Sequence, residues 1–557
     1  MRLLLIGLDG ADLRLVERWR ERLPALRGLV ERGTSSALVS TLPFATLPAW
    51  SSILTGEPPG VHGVHDFTER DGYRVRFTGA TRRRVGTTFA RMDRAGSSVA
   101  LLGFPATYPP EPFERGICLS GWDSPVAFEA DASFAHPRSL HREIVRRFGR
   151  AALAFGDVDE FDCGPGWHEE LPGRLCARVA RKCELYLHFL RERPWDVFAC
   201  YFGETDTAAH HLWALSDGSS PRRPAALPEP NVIEIPAPVR CPSLHVPKPA
   251  KEAQVDSNLA RLGNPLRTVY EAADRAIGAL IDAAPPDANV LVLSDHGSGG
   301  ASDEVVHLNG MLAEAGLLAF RPPRMGGLAR IVKSAGLRAL PPRLRERAFR
   351  AAGAFLPSVL ESRVRFGAID FRRTLAFSEE LPYAPSVWLN LAGREPRGIV
   401  PARDRERILD RVAAALAPAI AAAHRREDVH AGPWAHRAPD LLLELAAPAG
   451  YTLCLEPSPP SGGPVRRRLR ADEHLGRKGA ALSGSHRREG LFAGDGPALS
   501  GGGRVAMDVI DAGRLIARLG GLEPQERAPL VDGRTSPLTR EEEAILARRL
   551  GALGYLD

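Results

Sequence analysis

The chain has 557 residues, 44% hydrophobic and 25% charged, the composition of a soluble globular protein with enough length for a large core. Its 73 basic and 67 acidic residues leave a formal charge of +6, an excess too small at this length to indicate a nucleic-acid partner or a membrane surface. Seven scattered cysteines without a CxxC pair speak against a disulfide framework and against a cysteine-rich zinc site, and no apolar run reaches the length of a membrane span. A reducing, cytoplasmic setting is the expectation.

The first element is MRLLLIGLDGAD, whose apolar run is too short for a signal sequence and is followed directly by Asp9 and Asp12. It reads as a buried strand with Asp9 at its tip and glycines that let the backbone approach a ligand; read locally, it is equally a strand-to-helix turn with Asp12 as N-cap. Next comes LPFATLPAWSSILTG, residues 42–56, with hydroxyls at Thr46, Ser51, Ser52 and Thr55. Pro48 suits the first helical position and Gly56 the residue past the end, so the expected helix covers 49–55. Thr46 then lies just ahead of a helix N-terminus, where free N–H groups and the macrodipole favour an anion, although a plain cap-region hydroxyl fits the same position. The other three hydroxyls fall inside the helix.

SVALLGFP (98–105), WDVFACYFGETD (195–206) and ANVLVLSDHG (288–297) are further near-continuous apolar strands followed by helical patterns. Such alternation predicts an α/β fold: a three-layer α/β/α sandwich with a mostly parallel central sheet, carrying cap or lid insertions. In these sheets the ligand site lies beyond the carboxyl ends of the strands, where Asp9, Asp206, Asp295 and His296 all fall. Between residues 216 and 250 nine prolines rule out helix and interior strand, so a surface loop or lid is expected there. Residues 325–370, rich in Arg and Ala, read as a basic helical cap or as a solvated helix face. A core over 1–520 and a tail over 521–557, with a capping box in Thr539 and Glu542, complete the expected organisation.

The chemistry rests on scattered metal-type ligands. ETDTAAHHLW puts Asp206 and His210 four residues apart, on one face of a helix. LSDHG sets Asp295 beside His296 where a strand ends, and GSHRREG contributes His486. Singly, these are a surface pair, a turn and a polar histidine. Jointly, with Asp9, they supply three carboxylates and three imidazoles, a donor set suited to zinc or manganese. Two ions in such a site clamp the attacking and leaving oxygens of a phosphate ester, and a metal beside Thr46 would turn its hydroxyl into a nucleophile.

The ordered set GLDG, ATLPAWSSILTGEPPGVHGVHDF, TDTAAHHLW, LSDHG and GSHRREG resembles the alkaline phosphatase superfamily, more narrowly its type I phosphodiesterase and nucleotide pyrophosphatase branch, together with bacterial phosphohydrolases and phosphomutases of that superfamily. The resemblance implies two divalent metal ions, Zn2+ or Mn2+. Asp206, His210 and His486 would bind one; Asp9, Asp295, His296 and the Thr46 oxygen would bind the other. Thr46 would attack phosphorus in line and form a phosphothreonine that water hydrolyses, acting on a small-molecule phosphate ester. The pattern departs from the nucleotide pyrophosphatases at Ala49, where they carry Asn, and from sulfatases in lacking a C/S-x-P-x-R motif around Thr46. Alternatives are a phosphomutase or phosphotransferase, and a lipid- or glycan-phosphate-modifying enzyme docked on a membrane through residues 325–370.

Overall fold

Strand β1 (Leu3–Leu8) has no polar side chain because both of its faces are covered. Leu4, Ile6 and Leu8 enter one apolar cluster, Leu3 and Leu5 the other, the period-two alternation of a strand buried between two helical layers. The remaining strands of the main sheet are β2 (Thr34–Val39), β3 (Val99–Leu102), β4 (Ile117–Leu119), β5 (Ala135–His136), β6 (Val197–Phe202), β7 (Asn289–Leu293), β8 (Glu489–Asp495) and β9 (Gly503–Arg504). Their spatial order is β9-β2-β8-β7-β1-β6-β3-β4-β5. The central run from β7 through β1, β6 and β3 to β4 is parallel, while β8 runs antiparallel between β7 and β2. This computed structural model describes residues 1–77, 80–121, 131–153, 158, 160, 163–225, 263–321, 365–459, 463–477, 481–499 and 501–523.

One face of the sheet packs against α1 (Leu13–Arg18), α2 (Pro24–Arg32), α5 (Trp167–Glu192), α6 (Glu204–Ser216) and α7 (Pro265–Ala283). The other packs against α3 (Thr46–Thr55), α4 (Thr88–Arg94) and α8 (Val509–Leu519) through Trp50, Ile53, Phe89, Met92, Val509 and Ile516. The protein is thus a three-layer α/β/α sandwich with a mostly parallel sheet.

Helix α3 begins at Thr46, three residues before the start expected from Pro48. Ala45, with extended φ −121° and ψ 150°, is the N-cap, so Pro48 occupies the third position of the first turn. A proline is tolerated there because first-turn amides have no intrahelical acceptor. Gly56 ends the helix in the left-handed conformation at φ 72°.

A third apolar cluster is formed largely by the stretch of chain from the end of the strand Gly297–Val306 to Leu455. Its four-stranded antiparallel sheet comprises Ala376–Phe377, Ser386–Leu389, Leu441–Leu445 and Ile420–Arg425, backed by the helices Leu308–Glu314 and Arg405–Leu416. Strands of two to six residues are too short for a periodic signal, so the sequence pattern did not reveal this unit. The expected basic cap lies mostly outside the described residues, as do most of the proline-rich stretch and the terminal capping box. The described start of the proline-rich stretch is not simple surface. Arg222 is fully buried there and donates to the carbonyls of Ser302, Ala481 and Leu482, tying this segment to both ends of the insertion.

A buried ion pair joins two helices of one layer. Lys182 of α5 lies 2.9 Å from Glu204, the first residue of α6, with both side chains at most 3% exposed. Removing one partner strands a buried charge, whereas removing both does not. Lys182→Met is therefore expected to lower unfolding free energy by about 3–5 kcal/mol, and the Lys182→Met/Glu204→Leu double variant to recover most of it, as read by urea denaturation.

Candidate metal centre

The register of the parallel strands assembles the carboxyl-end ligands. Leu8 of β1 pairs with Phe202 of β6, and Gly7 with Leu293 of β7, so the three chains leave the sheet side by side. Asp9 follows β1 directly, Asp206 lies in the first turn of α6 after β6, and Asp295 and His296 follow β7. Because β8 is antiparallel, its start lies at the same end: Glu489 pairs with Val39 of β2. The preceding strand Gly484–Arg487 pairs with Gly297–Val306 in a register that sets His486 opposite Ser298. The six side chains, expected from four separate motifs, thereby reach one region.

They fall into two groups. His210 Nε2 is 3.3 Å from Asp206 Oδ1 and 3.1 Å from His486 Nε2, and His486 Nε2 is 3.7 Å from the same Asp206 oxygen. His296 Nε2 is 3.3 Å from Asp295 Oδ2 and 3.6 Å from Asp9 Oδ1. The groups touch, since the rings of His296 and His486 stack with centroids 3.7 Å apart.

Backbone carbonyls fix which nitrogen of each ring faces inward. A carbonyl can only accept, so the Nδ1 atoms of His210, His296 and His486 carry the hydrogens donated to Gly484, Gly297 and Phe44 at 3.3, 3.0 and 2.9 Å. Every Nε2 is therefore a lone-pair donor turned toward carboxylates. The carboxylates are prepared in the same way. Asp9 Oδ2 accepts from Trp50 Nε1 at 2.9 Å and from the Tyr201 hydroxyl, while Asp295 Oδ1 accepts from the Gly10 amide at 3.3 Å. What remains is Asp9 Oδ1, Asp295 Oδ2, Asp206 Oδ1 and His296 Nε2, all buried and all without a hydrogen-bond partner. Buried polar atoms that lack partners and face one another repel, and a cation between them removes the repulsion. The donor set fits metal ions in both groups.

The electrostatics agree. Burial, then the charge of Asp206, raises the Asp9 carboxyl to about 7. Burial and then Asp9 push Asp295 well above the usual carboxylate range. Burial acts upward on Asp206 as well, but the charge and hydrogen bond of His210 when that ring is protonated outweigh it and hold this carboxyl low. Burial also holds His296 below, and His486 well below, the ordinary imidazole value, so both rings stay neutral.

Thr46 is half-buried at the first position of α3. The centre holds that helix from two sides: Phe44, two residues before Thr46, accepts from His486, and Trp50, one turn after it on the same face, donates to Asp9. Ser52 is excluded as a rival nucleophile. Its hydroxyl lies 3.0 Å from His62 Nε2, which looks like a serine and its base, but His62 Nδ1 accepts from the Val64 amide, so Nε2 carries a hydrogen and cannot take one. Arg487, a candidate source of positive charge, instead donates to Thr452 and to the carbonyls of Gly300 and Gly450.

Three contributors were not foreseen. Trp50 lies inside the expected helix 49–55 and Tyr201 inside an apolar strand; both donate to Asp9 because their polar ends emerge where β1 and β6 finish. Tyr383 comes from the antiparallel insertion, stacks on His486 with centroids 4.3 Å apart, and brings its hydroxyl within 3.4 Å of His210 Nδ1. Nothing in the local sequence LPYAPS marks it. A small cleft is lined by Pro43, three residues ahead of Thr46, by His65, Asp66 and Arg82, and by Leu381 and Arg437 from the insertion.

The sequence model of the type I phosphodiesterase / nucleotide pyrophosphatase family matches residues 3–480, a span that includes Asp9, Thr46, Asp206, His210, Asp295 and His296 and stops short of His486. No curated protein sequence matches the chain. Among solved structures, phosphonoacetate hydrolase from Sinorhizobium meliloti in complex with phosphonoformate is similar at 16% identity and TM-score 0.49, over 93% of this chain and 95% of that one. Human ectonucleotide pyrophosphatase / phosphodiesterase 5 is similar at 13% identity and TM-score 0.44, over 95% and 96%. At those identities and scores the structural likeness adds nothing to the family match. That match covers most of the chain, and the protein belongs to the type I phosphodiesterase / nucleotide pyrophosphatase family.

Proposed function

We propose that the protein is a metal-dependent phosphoester hydrolase that works through a phosphothreonine on Thr46. The observation that carries this reading is the convergence of unpartnered Nε2 and carboxylate oxygens beside the start of α3. Asp206, His210 and His486 would hold one divalent ion; Asp9, Asp295 and His296, with the Thr46 oxygen, would hold the other. All-nitrogen-and-oxygen ligation is compatible with Zn2+ and with Mn2+. Bound ions would supply Lewis acidity, lowering the pKa of the Thr46 hydroxyl and offsetting charge that develops on the phosphoryl oxygens.

The chain's own residues supply the rest. Thr46 gives up its hydroxyl proton to solvent as Oγ1 forms a bond to phosphorus and the ester P–O bond on the opposite side breaks, and the departing oxygen takes a proton from solvent. Water then attacks the phosphothreonine, the P–Oγ1 bond breaks, and the hydroxyl is restored as phosphate or a phosphomonoester leaves. The N-terminal amides of α3 are oriented to favour an anion at this position. Trp50 and Tyr201 hold one Asp9 oxygen away, which keeps the other facing inward. The cleft beside Pro43, with Arg82 and Arg437 on its walls, is the side on which the displaced group would rest.

Three measurements test this reading. Thr46→Ala is expected to lose at least about a thousandfold in kcat/KM on bis(p-nitrophenyl) phosphate while keeping its metal content; retention of full activity sinks the mechanism. Tyr201→Phe removes one hydroxyl from Asp9 Oδ2 and should weaken the ion held by Asp9 about 10–100-fold in a chelator competition, the usual size of such supporting contacts. In metal-free protein the Asp9 carboxyl, raised to about 7, is protonated below that pH. An ion must displace this proton, so affinity at this group should fall roughly tenfold per pH unit on acidification below it, and an unchanged affinity between pH 8 and pH 5 would count against Asp9 as a ligand.

A further inference from the structure

A second set of metal-type donors lies outside the centre just described. His211 follows His210 on α6, and one residue turns a helix by about 100°, so the two rings leave it on different faces. His210 meets His486, whereas the ring of His211 packs against Trp167 at the start of α5, with centroids 4.7 Å apart. His168 is the second residue of that helix, and Cys163 lies just ahead of it. Donor atoms of Cys163, His168 and His211 all fall within 4.8 Å of one another. Glu160 brings a fourth donor, its Oε2 lying 3.7 Å from His211 Nε2.

Burial makes this more than a polar cluster. Glu160 is 2% exposed, His168 7% and His211 0%, and His168 Nε2 has no hydrogen-bond partner. Burial, then the neighbouring His211, holds the His168 imidazole down at about 3, so the ring is a neutral lone-pair donor at physiological pH. Donors around one tetrahedral ion stand roughly 3.3–3.8 Å apart, given bonds of about 2.0–2.3 Å. Side-chain rotation would bring the three grouped donors, and the Glu160 carboxylate beside His211, to that spacing.

We propose that Cys163, His168, His211 and Glu160 form a separate site for a divalent cation of the zinc class, joining the segment before α5 to α6. One thiolate, two imidazoles and a carboxylate complete a four-coordinate shell with no open position, the form of a structural ion and not of a catalytic one. Binding would release the thiol proton to solvent and leave all four donors bonded to the ion. Such an ion would also restrain the helix that carries Asp206 and His210.

The thiolate separates this site from the first, which contains no sulfur. Full-length protein loaded with Co2+ should show a thiolate-to-cobalt charge-transfer band in the near ultraviolet. Cys163→Ser should lose that band and keep the visible absorption of cobalt at the nitrogen and oxygen centre. On wild-type protein, zinc should protect Cys163 from iodoacetamide, and a chelator should remove the protection, a reading independent of whether any variant folds. Absence of the band in cobalt-loaded wild type, its persistence in Cys163→Ser, or alkylation of Cys163 at the same rate with and without zinc would each overturn the proposal.

Discussion

Three imidazole rings, each donating its Nδ1 hydrogen to a main-chain carbonyl, are the constraint on which the rest of the centre depends. Once Gly484, Gly297 and Phe44 have taken those hydrogens, every Nε2 is an acceptor, and the acceptors face carboxylate oxygens across distances of 3.3–3.7 Å. In a buried region such a set is stable only around positive charge. The polarity of the site is thus written in the backbone of three loops, and the side chains follow from it. Arg487, the nearest arginine in sequence to His486, is tied into the neighbouring strands and does not relieve the repulsion.

The sheet explains how those loops come to share one place. Parallel pairing of β1 with β6 and β7 brings three strand ends level, and the antiparallel β8 starts at the same edge, directly after the strand Gly484–Arg487 that holds His486. Close approach also restricts the backbone. Gly10 has φ +62°, and a Cβ there would stand 2.8 Å from Asp206 Oδ1. At Gly484 a Cβ would lie 2.0 Å from the Ala209 carbonyl, forcing α6 away from the strand that holds His486. Small residues at these two points let ligands from different layers meet.

Much of this was legible because each feature has a local signature. Continuous apolar runs identified the buried strands, and strand ends identified Asp9, Asp295 and His296. Helical spacing paired Asp206 with His210, and Pro48 with Gly56 bracketed the helix beside Thr46, though its start lay three residues earlier than the proline implied. Other features had no such signature. The Ser52–His62 contact looks catalytic until the Val64 amide reveals the tautomer. Tyr383 reaches His210 and His486 only because an antiparallel unit of very short strands folds over the sheet edge.

By itself the sequence determined the layered α/β class and the kinds of donor available, because hydrophobic periodicity and residue chemistry are properties of a local stretch. Tertiary structure alone decided which donors stand together, which oxygen of Asp9 and of Asp295 is left without a partner, and which face of α6 His211 takes. Those outcomes depend on strand register and on contacts between residues as many as 442 positions apart, as between Phe44 and His486, and no local pattern encodes a distance of that kind.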